Sequence, residues 1–104
     1  MKIIYSTVGS QSDAHRLAAG LVESRIAACV NIYPGVESVY LWKGEVSQDK
    51  EWALWIKAPD DMEGRVVSWL RDHHPYDTPC ILSLEPSRID EKFLAWVQNV
   101  ARGQ

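Results

Sequence analysis

The chain has 104 residues and a formal net charge of −3 with a pI near 5.5, so it lacks the basic field that holds a nucleic-acid backbone. Hydrophobic residues make up 46% and charged residues 24%, the balance of a globular chain and not of a disordered or fibrous one. This length builds one modest core and not two, so residues 1–104 are expected to form a single domain.

Residues 2–8, KIIYSTV, are a short run of β-formers bounded by Gly9 and predict a buried strand. The surrounding segment MKIIYSTVGS has no apolar core of signal-peptide length. No run approaches the roughly 20 apolar residues of a membrane span, so no membrane is expected and the cytoplasm is the expected compartment. From Ser12 and Asp13, both good capping types, apolar residues fall at Ala14, Leu17, Ala18, Leu21 and Val22, one face of a helix. His15 and Arg16 then point to solvent. Residues 26–42, IAACVNIYPGVESVYLW, are rich in β-formers but interrupted by Pro34 and Gly35, which predicts one bent strand with a bulge. Lys43 and Gly44 punctuate the run before EVSQDKEWALWIKA, the pattern of a β-hairpin.

Pro59, Asp60 and Asp61 stop that strand and are expected to cap a second helix with Met62, Val66, Trp69, Leu70 and His73 on its apolar face. Pro75 ends it, because a residue before proline is pushed out of the α region. A fourth strand is expected in CILSLEP, residues 80–86. Asp90 then caps a last helix along Phe93, Leu94, Val97 and Val100, with Ile89 and Leu94 as its hydrophobic staple.

The order is βαββαβ plus a C-terminal helix, an α+β chain of the ferredoxin-like, split-βαβ class. The first and third strands are expected in the middle of the sheet, with helices on one face. The hairpin is apolar on both faces, through Tyr40 and Trp42 on one and Val39 and Leu41 on the other. Such a surface aggregates unless another chain covers it, which predicts a closed homo-oligomer. The alternative is that the last helix folds across the open face of its own subunit. Cys29 and Cys80 have no CxxC spacing and are expected as two reduced, buried thiols on opposite edges, too far apart for an intrachain disulfide.

The stretch DHHPYDTPC, residues 72–80, is the one cluster suggestive of chemistry. Imidazole is the commonest protein ligand of transition metals, but His73 and His74 also stand at a helix end, where the macrodipole favours a cation. Adjacent helical residues point about 100° apart, so the pair chelates one ion only if the helix unwinds or other chains contribute ligands. Catalysis is not expected: Cys29 with His73 would lack an orienting group and an oxyanion donor, and no Gly-rich phosphate loop is present. Asp13, Asp60, Asp61 and Asp90 are read as helix caps, and the tryptophans chiefly as packing residues, although Trp42 and Tyr76 could stack on a ligand.

The combination of AACVNI, PGVESVYLWKG and HPYDTP resembles the CutA family of divalent-cation tolerance proteins, and the likeness runs from IIYST to FLAWV. It implies a ferredoxin-like subunit in a tight homotrimer of PII-like architecture, linked to copper and other divalent metal ions. In family members with a proposed copper site the ligands are a cysteine at the end of the first strand and the two histidines of an HHPY motif. By position these are His73 and His74, with Ser6 where the cysteine would stand. A hydroxyl is a poor donor to a soft metal, so a strong Cu(I) preference is not expected. Cys80 stands where the family commonly has glutamate. Glu51 and Lys57 match recurrent family positions and could line a polar cleft between subunits, or could pair to fix register. The resemblance implies a tolerance or response protein acting by metal binding. The other possibility is a PII-like trimeric sensor or scaffold for a small organic ligand or partner protein in intersubunit clefts.

Overall fold

A computed structural model describes residues 1–101. Four strands form one antiparallel sheet in the order β2-β3-β1-β4, built from β1 (Lys2–Val8), β2 (Cys29–Trp42), β3 (Glu45–Ala58) and β4 (Ile81–Leu84). The first and third strands are central, as the split-βαβ pattern requires. Helices α1 (Gln11–Glu23) and α2 (Glu63–His73) are the two crossovers, and α3 (Glu91–Ala101) follows β4.

The period-2 alternation of the strands decides which side chains meet the helices. Ile4, Leu54 and Ile56 face α1 and α2 and are wholly buried with Leu17, Leu21, Val66 and Leu70. Each such side chain contributes about 1.5–3 kcal/mol relative to exposure, so this layer is the main core. Ile3 points to the opposite face, where it packs with Met1, Ala28, Ile89, Leu94, Val97 and Ala101 in a second, smaller cluster. Helix α3 therefore folds across one end of the face that α1 and α2 leave open, and the helices do not all lie on one side. Ile89 and Leu94 both pack against that cluster, and the Asp90 carboxylate accepts from the N–H groups of Lys92 and Phe93 at 3.1 Å each, the cap the sequence suggested.

Helix α3 leaves much of its face uncovered. Tyr33 and Leu82 remain 66% and 51% exposed, and Trp55 and Leu84 are also open to solvent. The far arm of the hairpin adds Val39, Leu41, Trp42 and Val46, of which Leu41 is 74% exposed. The hairpin arm is one long bent strand pair: the register shifts between Tyr33 and Val36, with Gly35 at φ 74°. Lys43 and Gly44 both have positive φ, the type of turn whose twist matches a two-residue hairpin.

Three expectations are corrected. Helix α1 begins two to three residues earlier than Ser12 and Asp13 suggested: Ser10 is its cap, accepting from the Asp13 N–H at 3.1 Å, while Asp13 turns to Arg16. Asp60 and Asp61 lie in a short 3-10 turn, Asp60–Met62, which precedes α2, and the N-cap residue of α2 is Met62, which makes no side-chain capping bond. The cysteines are free on opposite edges of the sheet, but neither is buried: Cys29 is partly covered and Cys80 exposed.

Candidate functional site

The two histidines part company where α2 ends. Pro75 excludes the α conformation at the preceding residue, and His74 adopts φ −71° and ψ 136° while its N–H still closes on the Leu70 carbonyl at 2.8 Å. His73, the last helical residue, lies outside: its ring stacks on Trp69 with centroids 4.0 Å apart. Its Nδ1 is 2.8 Å from the Trp69 carbonyl, which can only accept, so Nδ1 carries a proton and the neutral ring has its lone pair on Nε2. Arg16 donates to the His73 carbonyl at 3.2 Å, satisfying an orphaned group at the helix terminus. His73 was counted on the apolar face of the helix; it is exposed instead, and Val66 and Leu70 are the buried residues there.

His74 turns inward and is 8% exposed. Its Nε2 lies 2.9 Å from the Thr7 carbonyl, and its Nδ1 accepts from the Tyr76 N–H at 3.1 Å. Burial lowers its pKa below the ordinary histidine value; the hydrogen bond to Thr7 and the Asp13 and Glu51 carboxylates oppose that shift, and Arg16 adds to it. Ser6 is wholly buried on the helix-covered face, across from Leu54 and Ile81, and its hydroxyl has no hydrogen-bond partner.

Tyr76 reaches from the loop after α2 to the hairpin. Its hydroxyl donates to Glu51 Oε2 at 2.9 Å, while Ser38 donates to Glu51 Oε1 at 2.6 Å. Burial, and then the hydrogen bond to Glu51, raise the Tyr76 pKa far above the ordinary phenol value, so it stays a donor. The neighbouring Cys80 thiol is also pushed up, by burial and then by the Glu51 charge, the opposite of an activated nucleophile. Lys57 does not pair with Glu51; it donates to Asn31 on β2. Trp42 stands opposite Glu45 at the end of the hairpin, away from the Glu51 that Tyr76 contacts. Cys29 starts β2 beside Lys57 on the open face, whereas His73 lies on α2 across the sheet, so those two do not form a nucleophile and base.

The sequence singled out Glu51 and Tyr76 separately but not their contact. The hairpin register was readable from the Lys43–Gly44 turn, and it sets Ser38 opposite Asp49, one position from Glu51 on the same face. Nothing in the chain order announces that the residue after Pro75 reaches β3.

Among the described residues, no three His, Cys, Asp or Glu side chains gather as a metal-ligand set. Of the donors the sequence proposed, His73 has a free, outward ring nitrogen, His74 has both nitrogens hydrogen-bonded, and Ser6 offers a buried hydroxyl.

Residues 2–100 match the family described as CutA1 divalent ion tolerance protein. The chain belongs to this CutA family. A CutA relative from Pectobacterium atrosepticum, named a divalent-cation tolerance protein, is 38% identical over 96% of this chain and 91% of its own length. A chloroplastic CutA 1 protein of rice is 36% identical over 96% of this chain, which spans 56% of the rice protein's length. In structure, the CutA1 divalent ion tolerance protein of Ehrlichia chaffeensis superposes with a TM-score of 0.94 at 32% identity, over 96% of this chain and 94% of that one. The α+β, ferredoxin-like fold is thus that of CutA1 structures, and no helix among the described residues is long and apolar enough to cross a membrane.

Proposed function

We propose that this CutA chain is a cytoplasmic, homotrimeric divalent-cation tolerance or response protein, a single-domain subunit acting by binding ions and not by catalysis. The observation that carries the ion contact is the exposed ring of His73, whose Nδ1 is engaged by the Trp69 carbonyl and whose Nε2 is left without a hydrogen-bond partner among the described residues. Imidazole suits Cu(II), Ni(II) and Zn(II), and Cu(II) is the best held of these because affinity rises toward copper along the first row. One imidazole per chain makes the contact weak unless neighbouring copies supply further ligands.

Assembly is supported by the uncovered apolar surface. Tyr33, Leu82, Leu84 and Trp55 lie on the open face, and Val39, Leu41, Trp42 and Val46 extend the apolar surface along the hairpin, more than a lone soluble chain ordinarily exposes. A closed trimer buries them, in the PII-like manner the family likeness implies. The net charge of −3 gives no footing for nucleic acid.

Calorimetric titration of Cu(II), with light scattering on the same sample, tests both parts. Weak Cu(II) binding lost in His73→Ala, at trimer mass, is the expected outcome. Unchanged binding in that variant, or a monomer mass at micromolar concentration, overturns the corresponding part. A second reading rests on Glu51, whose two oxygens are held by Ser38 and Tyr76 on the hairpin side of the subunit: a cleft there between subunits takes a small organic ligand. A thermal-shift panel of metals, nucleotides and small anions separates the two, since a ligand at 100 times its Kd adds about 2.7 kcal/mol to native stability.

A further inference from the structure

His74 is the only buried histidine, and both of its ring partners are backbone groups. That fixes its tautomer. The Thr7 carbonyl can only accept, so Nε2 carries the proton; the Tyr76 N–H can only donate, so the Nδ1 lone pair is already used. Hydroxyls and amides can exchange roles with a neighbour, but these two groups cannot. A metal ion at His74 must either strip the Nε2 proton, leaving the Thr7 carbonyl unpaired, or displace the Tyr76 N–H from Nδ1. The remaining donors do not help. Ser6 supplies a hydroxyl where a thiolate would be needed, on the helix-covered face of β1 and closed to solvent, whereas His73 lies on the outer surface of α2.

The two-histidine-plus-thiolate donor set of the family likeness therefore does not fit this chain. We infer that His74 is a neutral clasp and not a ligand: it ties the end of β1 to the loop after α2, so that Tyr76 is held on Glu51. The hydrogen bonds run in one line, from the Thr7 carbonyl through His74 to the Tyr76 backbone, and from the Tyr76 hydroxyl to Glu51, which Ser38 also grips. That line joins β1, the end of α2, β3 and β2. The absence of a side chain at Gly9 leaves the Tyr76 hydroxyl its place, since a Cβ there would stand 3.0 Å from it. His74 is a positioning residue for Glu51, and only His73 of the pair faces ions.

Nitrogen NMR of imidazole-labelled protein tests the tautomer directly, with Zn(II) as a diamagnetic probe. The expected His74 spectrum has a protonated Nε2 and an unprotonated Nδ1, both unmoved by Zn(II), while the His73 signals shift. Amide exchange at Tyr76 is expected to accelerate at least about tenfold in His74→Ala, as for a buried bond opened locally. His74→Gln, whose amide can still donate toward Thr7, is expected to keep the Cu(II) Kd within about threefold, a free-energy change well under that of a lost ligand. His74 signals that shift with Zn(II), or a Cu(II) affinity that falls as far in His74→Gln as in His73→Ala, would overturn the clasp. If the wild-type chain binds neither ion, the ion-binding proposal fails, and the tautomer and the Tyr76 exchange still decide the role of His74.

Discussion

Replacing Ser6 with alanine is expected to stabilise the protein. The Ser6 hydroxyl is fully buried in the β1 core layer and has no partner. An unpaired buried hydroxyl costs about 1–3 kcal/mol in desolvation. Alanine removes that cost and forfeits only the dispersion contacts of one oxygen, about 0.1–0.2 kcal/mol for each touching atom. The net gain is about 1 kcal/mol, equivalent to a rise of about 4–8 °C in Tm for a chain of this size. Urea unfolding followed by tryptophan fluorescence measures it, at matched protomer concentration because assembly makes the midpoint concentration-dependent. Ser6→Cys is expected to change stability in the same direction, since a buried thiol behaves as a small hydrophobe; its new sulfur should resist a water-borne alkylating reagent in the native state. A midpoint for Ser6→Ala below that of the wild type would show that the hydroxyl is satisfied in solution, and the reasoning from its isolation would fail.

His74 has a folded-state pKa below its unfolded value near 6.5, so the unfolded chain takes up the proton first as pH falls. Its contribution to stability is therefore complete above about pH 6.5 and declines below it until the depressed folded value is reached; denaturation midpoints across that window should show this slope in the wild type and not in His74→Gln. Arg25, which follows the cap of α1, has φ 61°, the left-handed region where glycine is at ease. Unfolding midpoints should rank Arg25→Gly above wild type and Arg25→Val below it, with the glycine gain under about 1 kcal/mol because the unfolded chain also gains freedom; a valine variant as stable as the glycine variant refutes this. Trp42→Asp puts a carboxylate on the exposed apolar arm of the hairpin and is expected to give insoluble protein or a molten monomer, and a soluble, cooperatively folding monomer from that change would show the arm is not an essential interface.

What the sequence by itself determined was the periodic part of the molecule. The β-rich runs marked the strands, three-to-four spacing set Leu17, Leu21, Val66 and Leu70 on the inner faces of their helices, and the Lys43–Gly44 turn set the hairpin register. These follow from local geometry, and so did the Asp90 cap and the end of α2 before Pro75. The family likeness was legible for the same reason, since it rests on contiguous motifs. The tertiary structure alone decided which face α3 covers, because Ile3 and Ile4 are equally apolar neighbours and only packing distinguishes their two sides. It also decided the fate of the histidine pair. His73 and His74 are the same residue type at successive positions; chain order set His74 apart only as the residue before Pro75, and it placed His73 on the buried face, where the fold puts His74 inside instead. One ends outside a helix against Trp69; the other meets the Thr7 carbonyl from 67 residues earlier and is buried by it. Ser6 reads as an ordinary strand residue until burial removes every partner its hydroxyl could have. Hydrogen-bond satisfaction depends on groups distant in sequence, so it becomes visible only when the chain has closed on itself.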